Sequence, residues 1–527
     1  MKAFLMHKDR DFDLTAALPP NAADLTQDLE LDTLFNAMAA GDAFLLAVAK
    51  QAVLASLREP DAIVYRRHIL ADCLEQPEVV REMYAIAVEA IEGERKIWGW
   101  TEKYPEGLLR RSLDVLQIFA GLLKRLRRTA DEHGAKFLSE GFTRLFGMLA
   151  RELDDEYLEI IGDHLQQLAF RHGLRMSAAL GTGLKGTDYV LLGSRHKQLS
   201  WMDRLRRLVG QPPRDRRSGH FYEIADRDEA GFKALGALRE KGISQVAVAL
   251  AQSTEHILNF FRMLQLELGF YVGCLNLRDQ LAARQEPISL PEPPLPAGNP
   301  TLSARGLYDV CLSLTMKDRV VGNDVNADRK TLVMVTGANR GGKSTFLRSV
   351  GLAQVMMQCG MFVPAESFRA NVCAGIFTHF KREEDKTMRS GKLDEELSRM
   401  SATVGHMTSN SLLLLNESFA STNEREGSEI ARQIVRALLE SGIKIFYVTH
   451  MFDLTQGFYR AKMDAALFLR AERLADGRRT FRVVEGEPLP TSYGEDLYRR
   501  IFETEIHPAG TESTATVGES LCQDCHK

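Results

Sequence analysis

A chain of 527 residues with 45% hydrophobic and 26% charged side chains has material for more than one packed core, which excludes a disordered polymer. Its formal net charge of −4 excludes a globally basic nucleic-acid binder, so any surface for nucleic acid has to be local. The opening residues, MKAFLMHKDRDFD, hold too short an apolar run for a secretory signal.

Taken in chain order, the first half reads as helical. One long helical stretch is expected over residues 31–57. Leu109, Leu113, Leu116, Phe119, Leu123 and Leu126 recur at steps of three and four, which sets one apolar stripe on a helix for packing against a neighbour. The texture then changes. GLRMSAALGTGLKGTDYVLLG, residues 173–193, is spaced by glycines and carries β-type residues such as Tyr189 and Val190, and FYEI at 221–224 reads as a further strand. Between them RLRRLVGQPPRDRR concentrates Arg204, Arg206, Arg207, Arg214, Arg216 and Arg217. An insertion of this kind between long helices is expected to project from the body. Its arginines suit phosphate contacts, although a solvated charged face is the plainer account of any arginine run.

A second long helix is expected over 243–281. It contains the most apolar stretch, ILNFFRMLQLELGFYVGCLNL, which Arg262 and Glu267 interrupt, so a buried helix is expected rather than a membrane span. Without export or spanning signals, a cytoplasmic protein without membrane contact is expected. QEPISLPEPPLPAGNP at 285–300 cannot continue that helix and reads as an extended connector. After it, TLVMVTGANRGGKST, SLLLLNESF and KIFYVTH are short apolar strands that end in polar residues, with helices between them. This alternation predicts a three-layer α/β domain with a largely parallel sheet, whose ligands bind at the carboxyl ends of the strands.

The chemistry sits at three of those ends. GANRGGKS fits the Gly-x-x-x-x-Gly-Lys-Ser phosphate loop: Gly337, Ala338, Asn339, Arg340, Gly341, Gly342, Lys343 and Ser344, with Thr345 following, sit between a predicted strand and a predicted helix. Glycines let backbone amides turn toward phosphate, and the helix N-terminus adds a favourable dipole. Lys343 is expected to reach the β- and γ-phosphates of ATP, and the Ser344 hydroxyl to bind Mg²⁺. The run LLLLNESFAST ends in Asn416 and Glu417. Asn416 keeps an oxygen acceptor for the Mg²⁺ shell but carries no charge, and Glu417 is the candidate general base for the attacking water. His450, ending KIFYVTH, is placed to orient water or sense the γ-phosphate.

With these elements placed, the stretch from Val335 onward resembles the ATPase domain of the MutS family of DNA mismatch-repair proteins. The carrying motifs are TGANRGGKSTFLRSVG, CGMFVPA, IFTHF, SGKLDEELSRM with Glu396, NESFAST, VTHMFDLT and SYGEDLYRRI. VGNDV at 321–325 resembles the segment that packs on adenine, though no aromatic stands beside it in sequence. The resemblance implies a helical lever and clamp region at 1–286, with the clamp at about 173–228, joined to a P-loop ABC-type α/β ATPase domain at 287–506 and a flexible tail at 507–527. It implies an ATPase that uses ATP and Mg²⁺ to clamp duplex, branched or mismatched DNA. It also implies a homodimer with composite ATP sites, in which Ser421 and Thr422 reach the neighbour's nucleotide. Where the family has Asp, this chain has Asn416, and its strand-end turn reads Phe419-Ala420-Ser421-Thr422-Asn423. Helices expected from about Leu31 leave no room for the family's N-terminal mismatch-reading and connector domains. GHFYE spells that reader's Phe-x-Glu, but inside the clamp, where it reads as a strand. The competing reading is a nucleotide-gated scaffold with negligible turnover that binds proteins. Seven cysteines spread along the chain suit reduced thiols, and Cys522 and Cys525 of CQDCH lack the export signal that haem attachment needs and the further ligands that zinc needs.

Overall fold

The structure is a computed structural model that describes residues 1–97, 104–168, 176–180, 182, 186–191, 229–293, 300–382, 391–474 and 477–489. Helices α1 (Ala22–Asp28), α2 (Leu31–Ala39), α3 (Ala43–Leu54), α4 (Pro60–Glu75), α5 (Pro77–Lys96), α6 (Pro105–His133), α7 (Glu140–Glu152) and α8 (Asp155–Leu168) precede a hairpin of β1 (Met176–Leu180) and β2 (Gly186–Leu191). The 55-residue α9 (Glu229–Ala283) follows. Proline opens α4, α5 and α6, where a missing N–H costs nothing. The single helix expected over 31–57 is two: Gly41, with φ of +90°, breaks it, and Asp42 caps α3 by accepting from the amides of Phe44 and Leu45. The stripe on α6 packs against α9, with Phe119 and Phe261 ring centroids 5.5 Å apart. The antiparallel β1–β2 pair stands inside the segment expected to be a clamp. The six arginines of that segment, the expected strand at 221–224, SYGEDLYRRI and CQDCH lie outside the described residues.

The second half holds β3 (Leu302–Leu307), α10 (Val310–Thr315), β4 (Asn323–Asn326), β5 (Leu332–Gly337), α11 (Lys343–Gln358), β6 (Ser367–Ala370) and β7 (Ile376–Phe380). These are followed by α12 (Lys392–Val404), β8 (Leu412–Asn416), α13 (Glu424–Glu440), β9 (Lys444–Val448), α14 (Phe452–Arg460), β10 (Ala466–Arg473) and β11 (Arg479–Glu485). The main sheet has the order β11-β10-β5-β9-β8-β7; only β11 runs antiparallel. A second, antiparallel sheet has the order β4-β3-β6. The four leucines of β8 are fully buried because the sheet is covered on both faces. Leu412 and Leu414 pack with α11, and Leu413 and Leu415 pack with α13 and α14.

The two halves share a core. Residues of α2, α3, α5, α6 and α9 form one apolar cluster with α11 and one face of the main sheet. The connector is pinned as it leaves α9: Ser289 and Val363 exchange backbone hydrogen bonds of 3.1 and 2.9 Å. Among the described residues no helix is long and apolar enough to cross a membrane.

Candidate nucleotide-binding site

Strand β5 ends in the glycine loop at 337–345 that the sequence pattern marks as a candidate phosphate loop. Gly337 there has φ of +108°, and a side chain on it would press within 2.9 Å of the Ala471 amide of neighbouring β10. Gly342, with φ of +91°, turns the loop into the N-terminus of α11. Both positions need glycine, so the glycine spacing read from the sequence has a conformational cause. Asn339, Arg340 and Ser344 are exposed at the mouth, whereas Ala338, Gly341 and Lys343 are buried and Thr345 is half-buried. The Lys343 ammonium donates to the carbonyls of Gly337 and Ala338, at 2.8 and 3.0 Å. Burial lowers its pKa, opposed by the Glu417 charge.

Strand β8 ends beside it. The Ser344 hydroxyl donates to the Asn416 amide oxygen at 2.9 Å, joining the start of α11 to the end of β8 across 72 residues of sequence. Two neutral oxygens meet there at the foot of the phosphate loop. That pair suits a hard cation already partly neutralised by phosphate. Glu417 follows in the left-handed region, φ 53°, and its amide donates to Val448 at 2.8 Å, which anchors the turn to β9. Its carboxylate oxygen lies 3.3 Å from His450 Nδ1. That hydrogen bond from His450, with the positive charges of Lys343 and Lys381, outweighs desolvation and holds the carboxyl below the usual glutamate range. Glu417 is therefore ionised at neutral pH and able to take a proton. With Nδ1 donating to Glu417, His450 has Nε2 left to face a ligand.

The turn after Glu417 is braced from behind by residues the sequence reading did not assign. Ser418 donates its hydroxyl to the His379 carbonyl at 2.6 Å and meets His379 Nδ1 at 2.8 Å. Tyr447 donates to the Ser418 carbonyl at 2.6 Å. The other ring nitrogen, Nε2, lies 3.1 Å from the Glu396 carbonyl and 3.3 Å from the Arg399 guanidinium, so the ring is held from both sides. Burial pushes the His379 pKa down to about 4, which keeps the ring neutral. Ser421 donates to the buried Glu396 carboxylate at 2.7 Å, and Thr422 to Glu426 at 2.5 Å. Within one chain, both hydroxyls expected to serve a neighbour's nucleotide are thus engaged with carboxylates of their own chain.

The structure also brings in β11. The Arg479 charge adds to the depression of Lys343, and Phe481, half exposed at 50% with φ of 60°, lies against Gly342. Asn323 of VGNDV donates to the Phe481 carbonyl at 3.4 Å and accepts from the Val483 amide at 2.7 Å. VGNDV is thereby tied to a strand 158 residues away in sequence, and that strand carries an aromatic residue. No local signal in the sequence marks it.

Two family models match. "MutS2 N-terminal domain" covers residues 58–284 and "MutS domain V" covers residues 333–501. The chain belongs to the MutS family. It is similar to "DNA mismatch repair protein MutS" of Thermotoga maritima, 36% identical over 137 residues, which are 26% of this chain and 17% of that protein. The protein of the same name from Thermus aquaticus is 33% identical over 178 residues, 34% of this chain and 22% of that one. That from Clostridium botulinum is 31% identical over 170 residues, 31% and 18%. The chain thus matches about a fifth of the length of these curated relatives. The MutS domain V match takes in the phosphate loop, Asn416, Glu417 and His450. The MutS2 N-terminal match spans α4 to α9 and ends where the connector begins.

Proposed function

We propose that this MutS-family chain is an ATPase that couples ATP binding and hydrolysis to the clamping of DNA. The observation that carries the proposal is the convergence of Lys343, the Ser344–Asn416 pair and the Glu417–His450 pair at the carboxyl ends of β5, β8 and β9. ATP would lie along the phosphate loop, residues 337–345, with Lys343 exchanging the Gly337 and Ala338 carbonyls for phosphate oxygens. Ser344 and Asn416 would hold Mg²⁺, which when bound neutralises phosphate charge. Glu417 takes the proton of the attacking water, and His450 fixes the Glu417 carboxylate through Nδ1. The neutral Asn416 favours weak Mg²⁺ retention and slow turnover.

DNA enters this reading through the Arg204–Arg217 segment, whose charges suit phosphate contacts that position a duplex without reading its sequence. The composite-site expectation becomes a proposal that Ser421 and Thr422 trade Glu396 and Glu426 for the nucleotide of a second copy. The test is ATP turnover with and without homoduplex, single-mismatch and four-way-junction DNA, alongside DNA binding across a salt series. Stimulated turnover and steep salt dependence, lost when Arg204, Arg206 and Arg207 are replaced by Ala, support the reading. Absence of turnover together with salt-insensitive or missing DNA binding would favour a nucleotide-gated scaffold instead.

A further inference from the structure

The strands that carry the phosphate site have a second opening at their amino ends. A cavity of about 460 Å³ lies there, walled by Thr331 just before β5, by the Ser409–Asn410 turn before β8, by Lys444 at the start of β9 and by Gln354 of α11. Gln354 stands eleven residues beyond Lys343 on one helix, about 17 Å away at the α-helical rise, so this space is distinct from the phosphate loop.

Lys444 sets the chemistry. Its ammonium has one long hydrogen bond, 3.4 Å to the Ala327 carbonyl, and stands 5.9 Å from the Phe446 ring centroid. Among the described residues no carboxylate lies within 4 Å of it. Asp328, the acid that acts on it from a distance, is committed to Arg369 at 2.6 Å and to the Leu302 amide at 3.1 Å. Cys373, the other titratable group on the cavity wall, has its thiol pushed up to about 12 by burial and is neutral. Burial lowers Lys444 to about 8. A cation withdrawn from water without a counter-ion is costly, and an anion supplied from solution removes that cost.

The other donors on the wall divide clearly. The Gln354 amide is spent on the Asn371 carbonyl and the Gln358 side chain, each at 2.8 Å, and the Asn410 amide on the Val372 carbonyl at 2.8 Å. The hydroxyls of Thr331 and Ser409 make no hydrogen bond to the described residues. One ammonium and two uncommitted hydroxyls around a small cavity match an oxyanion, which accepts several donors and donates none.

We propose that this cavity binds a small oxyanion-bearing molecule, a carboxylate or a phosphate, with Lys444 as its counter-charge and Thr331 and Ser409 as its hydroxyl donors. The test uses the full chain with a non-hydrolysable ATP analogue and Mg²⁺ in excess, so that the β- and γ-phosphate positions are filled and added phosphate cannot report on the phosphate loop. Calorimetric titration with sodium succinate in one arm and sodium phosphate in the other separates the two sources of anion, with sodium chloride at matched ionic strength as reference. Saturable heat is expected from at least one oxyanion. Lys444→Gln should weaken it by at least about tenfold, Thr331→Val by less, and Lys444→Arg should retain it. Heat from neither oxyanion beyond the chloride reference overturns the proposal, as does an unchanged affinity in Lys444→Gln with its melting temperature preserved. The latter outcome would leave Lys444 a hydrated lysine.

Discussion

The helical region and the α/β domain bury polar groups to opposite ends. In the α/β domain they converge on an opening: Lys343, Ser344, Asn416, Glu417 and His450 come from three strand ends and leave acceptors and donors facing one space. In the helical region they close on one another. Glu267, deep in α9, accepts from the amides of Leu5, Met6 and Phe12 at 2.5, 3.4 and 3.3 Å. Arg66 of α4 donates to the carbonyls of Met6 and Cys359, at 3.2 Å in both cases, and so ties the first residues of the chain to α4 and to the end of α11. Every partner there is backbone of the same chain, which marks a structural latch. A strand end has free space beyond it, whereas a helix flank in a bundle does not, and that difference leaves the first set of polar groups available to a ligand and the second set closed.

The sharpest way to break the comparison is to exchange single side chains at each place. Lys343→Ala should weaken ATP binding about a thousandfold, roughly 4 kcal/mol, by filter binding or calorimetry. Glu417→Gln should leave that affinity within about twofold and slow turnover by about 10²–10⁴, as loss of a general base does. If both variants lost binding alike, Glu417 would be part of the fold's support and the contrast would fail.

In the helical region, Glu267→Leu should leave ATP affinity intact and cost about 3 kcal/mol of stability by orphaning three buried amides. Hydrogen exchange should accelerate first at Leu5, Met6 and Phe12. Protection that survives at those amides would mean that the latch rests instead on Arg66 and on Tyr271 of α9, whose hydroxyl donates to the Leu5 carbonyl.

Each region also shields a histidine, His379 behind the Glu417 turn and His7 in the N-terminal segment, both pushed down to about 4 by burial. Between pH 6.5 and about 4 the unfolded chain binds a proton at His379 that the folded chain refuses, so stability falls as pH drops through that window, by at most about 3 kcal/mol. His379 is fully enclosed while His7 is half-buried and better screened, so His379→Gln should flatten the acid limb of urea midpoints more than His7→Gln. Equal flattening would say that enclosure does not separate the two regions. The smallest effect is expected from Asn416→Asp, which adds a charge beside Ser344 and should tighten the Mg²⁺ dependence of turnover by about 1 kcal/mol. An unchanged Mg²⁺ requirement would remove Asn416 from the metal site.

The strand, glycine loop and helix around residues 332–358, the β8 terminus and the parallel sheet were legible in the sequence because each is local. A glycine spacing, a doubly buried apolar run and a following helix are written contiguously, and the backbone conformations they need leave few alternatives. The helical texture was legible for the same reason, except at Gly41, where one positive φ divides an apolar run that periodicity alone extends. Pairings across the fold were not legible. Nothing near Ser344 names Asn416, nothing near VGNDV names Phe481, and the Ser421 hydroxyl was read without Glu396. Nor does KIFYVTH disclose that Lys444 begins a strand whose amino end opens on a cavity while its carboxyl end leads to His450. The sequence by itself determined the residue types, their order and the elements that carry them. Only the tertiary structure decided which side chains meet and which charges are left without partners. Those outcomes depend on the order in which β5, β9 and β8 lie in the sheet, and hydrogen bonding between strands sets that order through contacts no short segment contains.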